Sequence, residues 1–350
     1  MLKQINPRFL KSGLHQKQDD NIVQCLICER KCKITEGKFG YCQTRINKGG
    51  KIYSIVYGLI PAISFNPIEK KPLYHFHPGS IAITIGTYGC NFNCFWCQNH
   101  HLSHPKEKIY KLAYNTSKCI EPEEIIKIAL ANSCQGTSIS FNEPTLLFEY
   151  SLELFKLAKN EGLYNTYVSN GYMAKDALHE LIDSGLDAMN IDVKGDAHMV
   201  NEYCGADNEK VWRNAVYAKE NEVHIEITTL LLEGFNSDES TIRSIAERIA
   251  NDLGEETPFH ISRAFPYYKS REHSFTQPTS ESSLYKARNT ALGTGLKYVY
   301  LGNVPTYDFQ NTRCPNCSQI VIERKVYSIS KMGLDKDGKC EYCGHFICKI

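Results

Sequence analysis

The stretch Tyr88-Gly89-Cys90-Asn91-Phe92-Asn93-Cys94-Phe95-Trp96-Cys97-Gln98-Asn99 follows directly on Ile81–Thr87, a run rich in β-branched residues that reads as a strand. Three cysteines spaced C-x3-C-x2-C therefore sit in one short loop at a strand's C-terminal end. Three thiolates occupy three irons of a cubane and leave the fourth iron for a small chelating molecule, whereas a closed structural zinc site takes four ligands. Soft thiolates suit iron–sulfur clusters. A zinc site completed by His100 or His101 is the competing reading. The position after a strand and the aromatic Trp96 before the third cysteine weigh against it.

Outward from this loop the chain alternates between strands and helices. Pro122–Asn132, Leu146–Asn160, Lys175–Ser184, Glu209–Glu220, Glu239–Asn251 and Ser282–Leu292 read as helices, with Pro122 suited to a first turn. Thr137–Phe141, Tyr164–Val168, Ala188–Val193, Val223–Leu232, Phe259–Ala264 and Tyr298–Leu301 read as strands. Repeated βα units imply a parallel sheet of the α/β class. Their number favours an open or incomplete barrel, a partial (β/α)6-type TIM-like barrel, over a flat doubly wound sheet. Such barrels carry their active sites at the C-terminal ends of the strands. Residues 1–80 have little periodicity and many turn signals, among them Gly49-Gly50 and Pro78-Gly79. The expected organisation is a cysteine-rich N-terminal segment (1–80), a barrel (81–305) and a small C-terminal module (306–350).

Fifteen cysteines are many for a chain without a secretory leader pattern, and eleven of them fall into three tight groups. In a reducing compartment clustered thiols point to metal rather than disulfides. No apolar run is long enough to span a bilayer, so the expectation is a cytoplasmic protein without a membrane partner. A net charge of +1 gives no global field for nucleic acid. Cys119, Cys134 and Cys204 read as small buried hydrophobes, and Cys348 as an incidental tail residue.

The loop and its surroundings resemble the radical S-adenosylmethionine (SAM) superfamily. C-x3-C-x-aromatic-C after the first barrel strand is that family's pattern, here with Trp96 as the aromatic. The resemblance implies a 4Fe-4S cluster on Cys90, Cys94 and Cys97, with SAM chelating the open iron. It implies reductive cleavage of SAM to methionine and a 5′-deoxyadenosyl radical that abstracts hydrogen from substrate, an oxidoreductase-type radical chemistry. It also implies an electron donor such as flavodoxin or ferredoxin. Further matches follow in order. Asn142-Glu143-Pro144 stands where the family has Gly-Gly-Glu-Pro, with Phe141-Asn142 replacing the two glycines. Ser169-Asn170-Gly171 and Asp192-Val193-Lys194 resemble SAM-binding segments of glycyl-radical activases. His260 matches a position near the nucleoside. These residues, with Trp96, are the expected cofactor contacts; no catalytic acid, base or radical relay is assignable.

A narrower resemblance spans nearly the whole chain. Cys25-Leu26-Ile27-Cys28, Gly40-Tyr41-Cys42, Arg45-Ile46-Asn47, Glu69-Lys70-Lys71-Pro72-Leu73-Tyr74-His75-Phe76, Pro258-Phe259-His260-Ile261-Ser262-Arg263 and Tyr298-Val299-Tyr300-Leu301-Gly302-Asn303-Val304 are similar to the AmmeMemoRadiSam system radical SAM enzymes. That family is described as pyruvate formate-lyase activating enzyme-like. The resemblance implies association with Memo-like and AMMECR-like proteins.

Two flanking groups complete the inventory. Cys314, Cys317, Cys340 and Cys343 form C-x2-C-x22-C-x2-C, a zinc-ribbon pattern. Cys25, Cys28, Cys32 and Cys42 form C-x2-C-x3-C-x9-C, which suits zinc or an auxiliary 4Fe-4S cluster. Lys70, Lys71, His75 and His77 read as a solvated approach segment, or as lining near the site mouth. The favoured substrate is a protein or peptide. The alternative is RNA or tRNA, gripped by Arg313, Arg324, Lys325 and Lys331 of the C-terminal module.

Overall fold

The structure, a computed structural model, describes residues 9–350 apart from positions 20, 117 and 307. Its centre is one eight-stranded sheet: Ala62–Pro67 (β1), Ile81–Gly86 (β2), Gly136–Ile139 (β3), Tyr164–Ser169 (β4), Ala188–Asp192 (β5), His224–Leu231 (β6), Phe259–Arg263 (β7) and Val299–Gly302 (β8). The spatial order follows the chain from β1 to β8 without reversal. Every crossover therefore steps the same way, which rolls the sheet instead of splitting it into the two wings of a doubly wound fold. β2 to β8 are parallel and β1 is antiparallel to β2. β1 and β8 do not pair, so the barrel is open. This is the TIM-like α/β architecture expected from the alternation, with β1 added from the segment that showed no periodicity.

The helices around the sheet are Pro122–Ala131 (α1), Phe148–Asn160 (α2), Lys175–Asp183 (α3), Ala197–Cys204 (α4), Asn208–Glu220 (α5), Glu239–Arg248 (α6) and Glu281–Leu292 (α7); all but α4 lie where sequence patterning put them, with ends shifted by at most three residues. Asp196, Asp207, Asp238 and Ser280 cap α4 to α7, each accepting from a backbone N–H of the first turn. α4 was not foreseen. No helix among the described residues is long and apolar enough to cross a membrane.

The N-terminal segment packs over the C-terminal ends of the strands. The Arg45 guanidinium, 2% exposed, forms a salt bridge with Glu149 of α2 and donates to the Leu146 carbonyl at 3.2 Å. Arg30 donates to the carbonyls of Asn91 (2.5 Å) and Cys204 (2.8 Å). The backbone of Ile27–Glu29 bonds to that of Tyr172–Ala174.

The opposite end is floored by residues 68–77 and the C-terminal module, a three-stranded antiparallel sheet of Thr312–Arg313, Ile320–Lys325 and Ser328–Met332. Ile68, Leu73 and Phe76 pack on Ala82, Tyr164 and Ala188 near the strand starts. Arg324, 1% exposed, donates to Thr312 Oγ1 at 2.7 Å and to the Tyr74 carbonyl at 2.8 Å. Thr312 Oγ1 meets the Tyr300 hydroxyl at 2.9 Å, and that hydroxyl meets His75 Nε2 at 2.7 Å. His75 Nδ1 lies 2.8 Å from the Ile347 carbonyl, which only accepts. The proton of the neutral ring is therefore on Nδ1, and the chain runs one way from Arg324 to Ile347.

Three expectations are corrected here. Arg324 is a buried docking residue and has no surface to offer a phosphate. Cys348 is a core residue of the C-terminal module, 1% exposed, and not a tail residue. The solvated reading of the approach segment also fails for Lys71 and His75, which are buried.

Burial pushes the His75 imidazole down to about 3, although Glu226 pulls it upward. Burial likewise opposes charge on Glu226, but hydrogen bonds from His224 and His260 overcome it and hold the carboxyl well below the usual range. An unfolded chain protonates these groups below about pH 6.5 and 4.3, while the folded chain resists. Stability is therefore complete above the first value and is lost as pH falls toward 3. Unfolding free energy should drop through this window, by at most about 1.4 kcal/mol per pH unit for His75, and the melting temperature should fall with it. The variant His75→Gln should flatten the upper part of that slope in thermal scans; an unaltered slope contradicts the assignment.

Candidate active site

The cysteine loop leaves β2 under tight control. Asn142 Oδ1 accepts from Thr87 N at 3.0 Å, and Asn142 Nδ2 donates to the Gly89 carbonyl at 2.9 Å. Thr87 Oγ1 donates to the Leu59 carbonyl, and Asn99 Nδ2 to that of Phe141. Gly89 has φ +92°, and a Cβ there would lie 2.8 Å from Thr44 Cγ2 and 2.9 Å from the Cys42 carbonyl oxygen. Only glycine meets both conditions. Within the loop, Phe92 N–H points to Cys90 Sγ at 3.3 Å.

Behind the loop, Glu143 is buried and saturated. Its Oε1 accepts from Thr145 N (3.1 Å), Thr145 Oγ1 and Ser169 Oγ (2.8 Å), and its Oε2 from Asn170 N at 2.9 Å. Burial lifts the carboxyl above its usual range even though these donors oppose the shift. The side chain thus ties the end of β3 to the end of β4. Asn170 Nδ2 then donates to Asn91 Oδ1 at 2.7 Å, fixing the residue next to Cys90. Ser169 Oγ also accepts from Gly171 N.

At the end of β5, Asp192 forms a salt bridge with Lys194. Burial opposes the Lys194 charge, but Asp192 and then Cys94 stabilise it and raise its pKa. The pair is largely shielded from solvent and stands beside Cys94, which departs from a solvated surface pair. Asp192 Oδ1 and Asn91 Nδ2 are buried with no hydrogen-bond partner in the protein. Cys94 is buried with Phe95 and Trp96, whose rings meet edge-on at 4.7 Å.

The structure brings Trp96, Asn142, Glu143, Ser169, Asn170, Asp192 and Lys194 to the C-terminal ends of the strands around the three cysteines. His260 is placed differently. It occupies the second position of β7, bonded to Glu226 Oε2 at 2.6 Å and stacked on Tyr300 in the floor network. Among the described residues no imidazole or carboxylate closes a compact metal site with the loop sulfurs. His100 instead stacks on Tyr268.

Sequence reasoning missed three participants. Asn91 was quoted only as part of a motif. Arg30 carried no pattern. Cys204 is buried, as its reading as a small buried hydrophobe expects, but it also puts its Sγ 3.4 Å from Cys94 Sγ. No local signal marks it, because α4 brings it across 110 residues. Lys71, which the sequence offers as a lining residue, is buried with its Nζ 3.3 Å from Ser140 Oγ. Burial, followed by repulsion from Lys70, lowers its pKa to about 7.

A profile of the Radical SAM superfamily matches residues 84–245, the span from β2 into α6. An uncharacterized protein of Methanocaldococcus jannaschii is 38% identical over 336 residues, covering 95% of this chain and 97% of that protein. A second protein of that organism, provisionally a glycyl-radical enzyme activating enzyme, is 30% identical over 228 residues, 63% of this chain and 79% of the other. The chain belongs to the radical SAM superfamily. The (2S)-3-sulfopropanediol dehydratase activating enzyme of Klebsiella oxytoca is 24% identical over 42% of this chain and 46% of its own. As a radical SAM protein the chain is an enzyme, and its family implies a 4Fe-4S cluster, SAM and a reductant.

The residues present fit that pair of groups. Three thiols share one loop, the first and third pushed up chiefly by burial, and a bound cation deprotonates such thiols. The orphaned Asp192 Oδ1 and Asn91 Nδ2 offer an acceptor and a donor beside them.

If Asn142 fixes the loop as its two bonds imply, Asn142→Ala should cost about 1–3 kcal/mol locally and loosen the site. The expected result is a several-fold faster loss of the brown absorbance on anaerobic dilution with an unchanged circular dichroism spectrum. Equal retention in both proteins would remove this role.

Proposed function

We propose that this chain cleaves SAM reductively and abstracts a hydrogen atom from a protein or peptide, as an activating-enzyme-like radical SAM oxidoreductase. The observation that carries this reading is the three-thiol loop beside two orphaned polar atoms at the strand ends. When bound, the cluster and SAM supply one-electron cleavage of a C–S bond and a hydrogen-abstracting radical. The chain's own residues do the rest. Cys90, Cys94 and Cys97 hold three irons. Asn142 and Asn99 keep their loop in place. Glu143 joins Ser169 and Asn170 into a rigid rim, and Asn170 sets Asn91. Asp192 Oδ1 and Asn91 Nδ2, both buried without a partner, would take the amino and carboxylate groups of SAM. Trp96 and Phe95 exclude water. Lys194 balances the negative charge next to Cys94.

The similarity to activating enzymes supports a protein substrate, and the burial of Arg324 removes one of the four cations that an RNA-binding ribbon would use. The motifs at 69–76, 258–263 and 298–304 support the AmmeMemoRadiSam assignment, since all three stretches meet in the floor network. Memo-like and AMMECR-like proteins are the proposed partners, and flavodoxin or ferredoxin the donor. The cytoplasm is the proposed compartment, since reducing conditions there keep clustered thiols available to metal. The proposed organisation remains a cysteine-rich N-terminal segment, a barrel and a C-terminal ribbon.

The C-terminal group is proposed to hold zinc. All four sulfurs lie within 4.8 Å of one another, with Cys314–Cys343 at 3.5 Å and Cys317–Cys340 at 3.6 Å. Four sulfurs about 2.3 Å from one tetrahedral ion stand roughly 3.8 Å apart, which matches. Cys340→Ser should release close to one zinc per chain by metal analysis and lower the melting temperature, while leaving the iron content unchanged. Loss of iron in step with zinc would refute the separation of the two sites.

The enzymatic reading is tested with dithionite and SAM. Reconstituted protein should form 5′-deoxyadenosine, and Cys94→Ala should form none; an undiminished yield from the variant refutes the assignment. Mass spectrometry of cellular protein and RNA from a deletion strain should then show a missing modification on protein. A change confined to RNA would overturn the substrate class.

A further inference from the structure

The first cysteine group differs physically from the last. Cys25 ends the strand Ile22–Cys25, Cys28 and Cys32 flank the turn that follows, and Cys42 lies just before the strand Arg45–Lys48. The fold gathers all four around one pocket, closed by Ile27, Ile34 and Leu146 and by Arg45. Their sulfurs are more widely set than those of the C-terminal group: among the described residues only the latter has all its ligand atoms within 4.8 Å. One tetrahedral ion cannot hold ligands much more than about 3.8 Å apart. A cubane puts each thiolate on a separate iron and so needs the wider spacing.

A second observation points the same way. Arg45 lines the pocket, its side chain is 2% exposed, and its Nε is buried with no protein partner. The rest of its guanidinium is spent on Glu149 and the Leu146 carbonyl. A buried, unpaired N–H beside four thiols is a donor waiting for an anionic acceptor. Four thiolates on a cubane give such an acceptor, and hydrogen bonds to sulfur tune these clusters.

The pocket also abuts the cysteine loop. Asn91 lines it and neighbours Cys90. Arg30, two residues after Cys28, donates to the Asn91 and Cys204 carbonyls and stacks on Tyr41, its guanidinium 3.6 Å from the ring centre. A Cβ on Gly89 would lie 2.9 Å from the Cys42 carbonyl oxygen, so the two segments run close together.

We propose that Cys25, Cys28, Cys32 and Cys42 hold a second, fully cysteine-ligated 4Fe-4S cluster, hydrogen-bonded by Arg45 Nε and adjacent to the cluster of the Cys90 loop. With no open iron it has no site for SAM.

Metal and sulfide analysis of the anaerobically reconstituted full chain decides this. Two cubanes give about eight irons and eight sulfides, with about one zinc. About four irons with about two zincs overturns the proposal while leaving the SAM reading intact. The variant C90A/C94A/C97A should keep about four irons, and its dithionite-reduced electron paramagnetic resonance signal should not respond to SAM. The variant C25A/C28A should keep about four irons whose signal does respond. A C90A/C94A/C97A protein with native circular dichroism and no iron also overturns it. If either variant fails to fold, the wild-type iron-to-zinc ratio alone gives the answer.

Discussion

The site rests on one buried carboxylate. Glu143 accepts four hydrogen bonds and in doing so fastens the end of β3 to the end of β4. Through Asn170 the constraint reaches Asn91, and through the neighbouring Asn142 it reaches Thr87 and Gly89. The three-cysteine loop is thereby held from both sides by side chains that are themselves fixed. Rigid support of this kind is what a cluster site requires, because ligands must be in place before the metal arrives. A lone buried carboxylate would be costly; four donors offset that cost.

The parallel sheet was legible because its strands are buried on both faces and alternate with amphipathic helices, the first opened by Pro122. The cysteine loop was legible because thiol spacing is local chemistry. β1 was not legible. It exposes Ile63 and Phe65 while burying Asn66, so its alternation gives the wrong face, and it pairs only through long-range contact with β2. The small N-terminal strands, two to four residues long, are set by packing and by Arg45 and Arg30, whose partners lie up to 174 residues away. The same limit hid Cys204 and the floor position of His260. Glu226, which pairs with His260, carries no sequence mark at all.

The two cysteine-rich modules meet the sheet at opposite ends of its strands. The N-terminal group lies against the loop that would bear the reaction, whereas the C-terminal ribbon lies under the strand starts. Barrels conventionally keep chemistry at one end and stability at the other, and the division holds here. Arg45 and Arg324 play parallel parts. Each is a buried guanidinium that stitches a cysteine-rich module to the barrel, and each is held mainly by oxygen acceptors with little or no exposure to water.

The floor has a consequence for how the polypeptide assembles. The His75 ring lies against the carbonyl of Ile347, 272 residues further along, and the His77 backbone N–H donates to that of Lys349. Closing the barrel's underside therefore means closing a very long loop, whose entropy must be met before these bonds contribute. Contacts of such high sequence separation slow folding, so the barrel's strands can pair well before the seal beneath them forms.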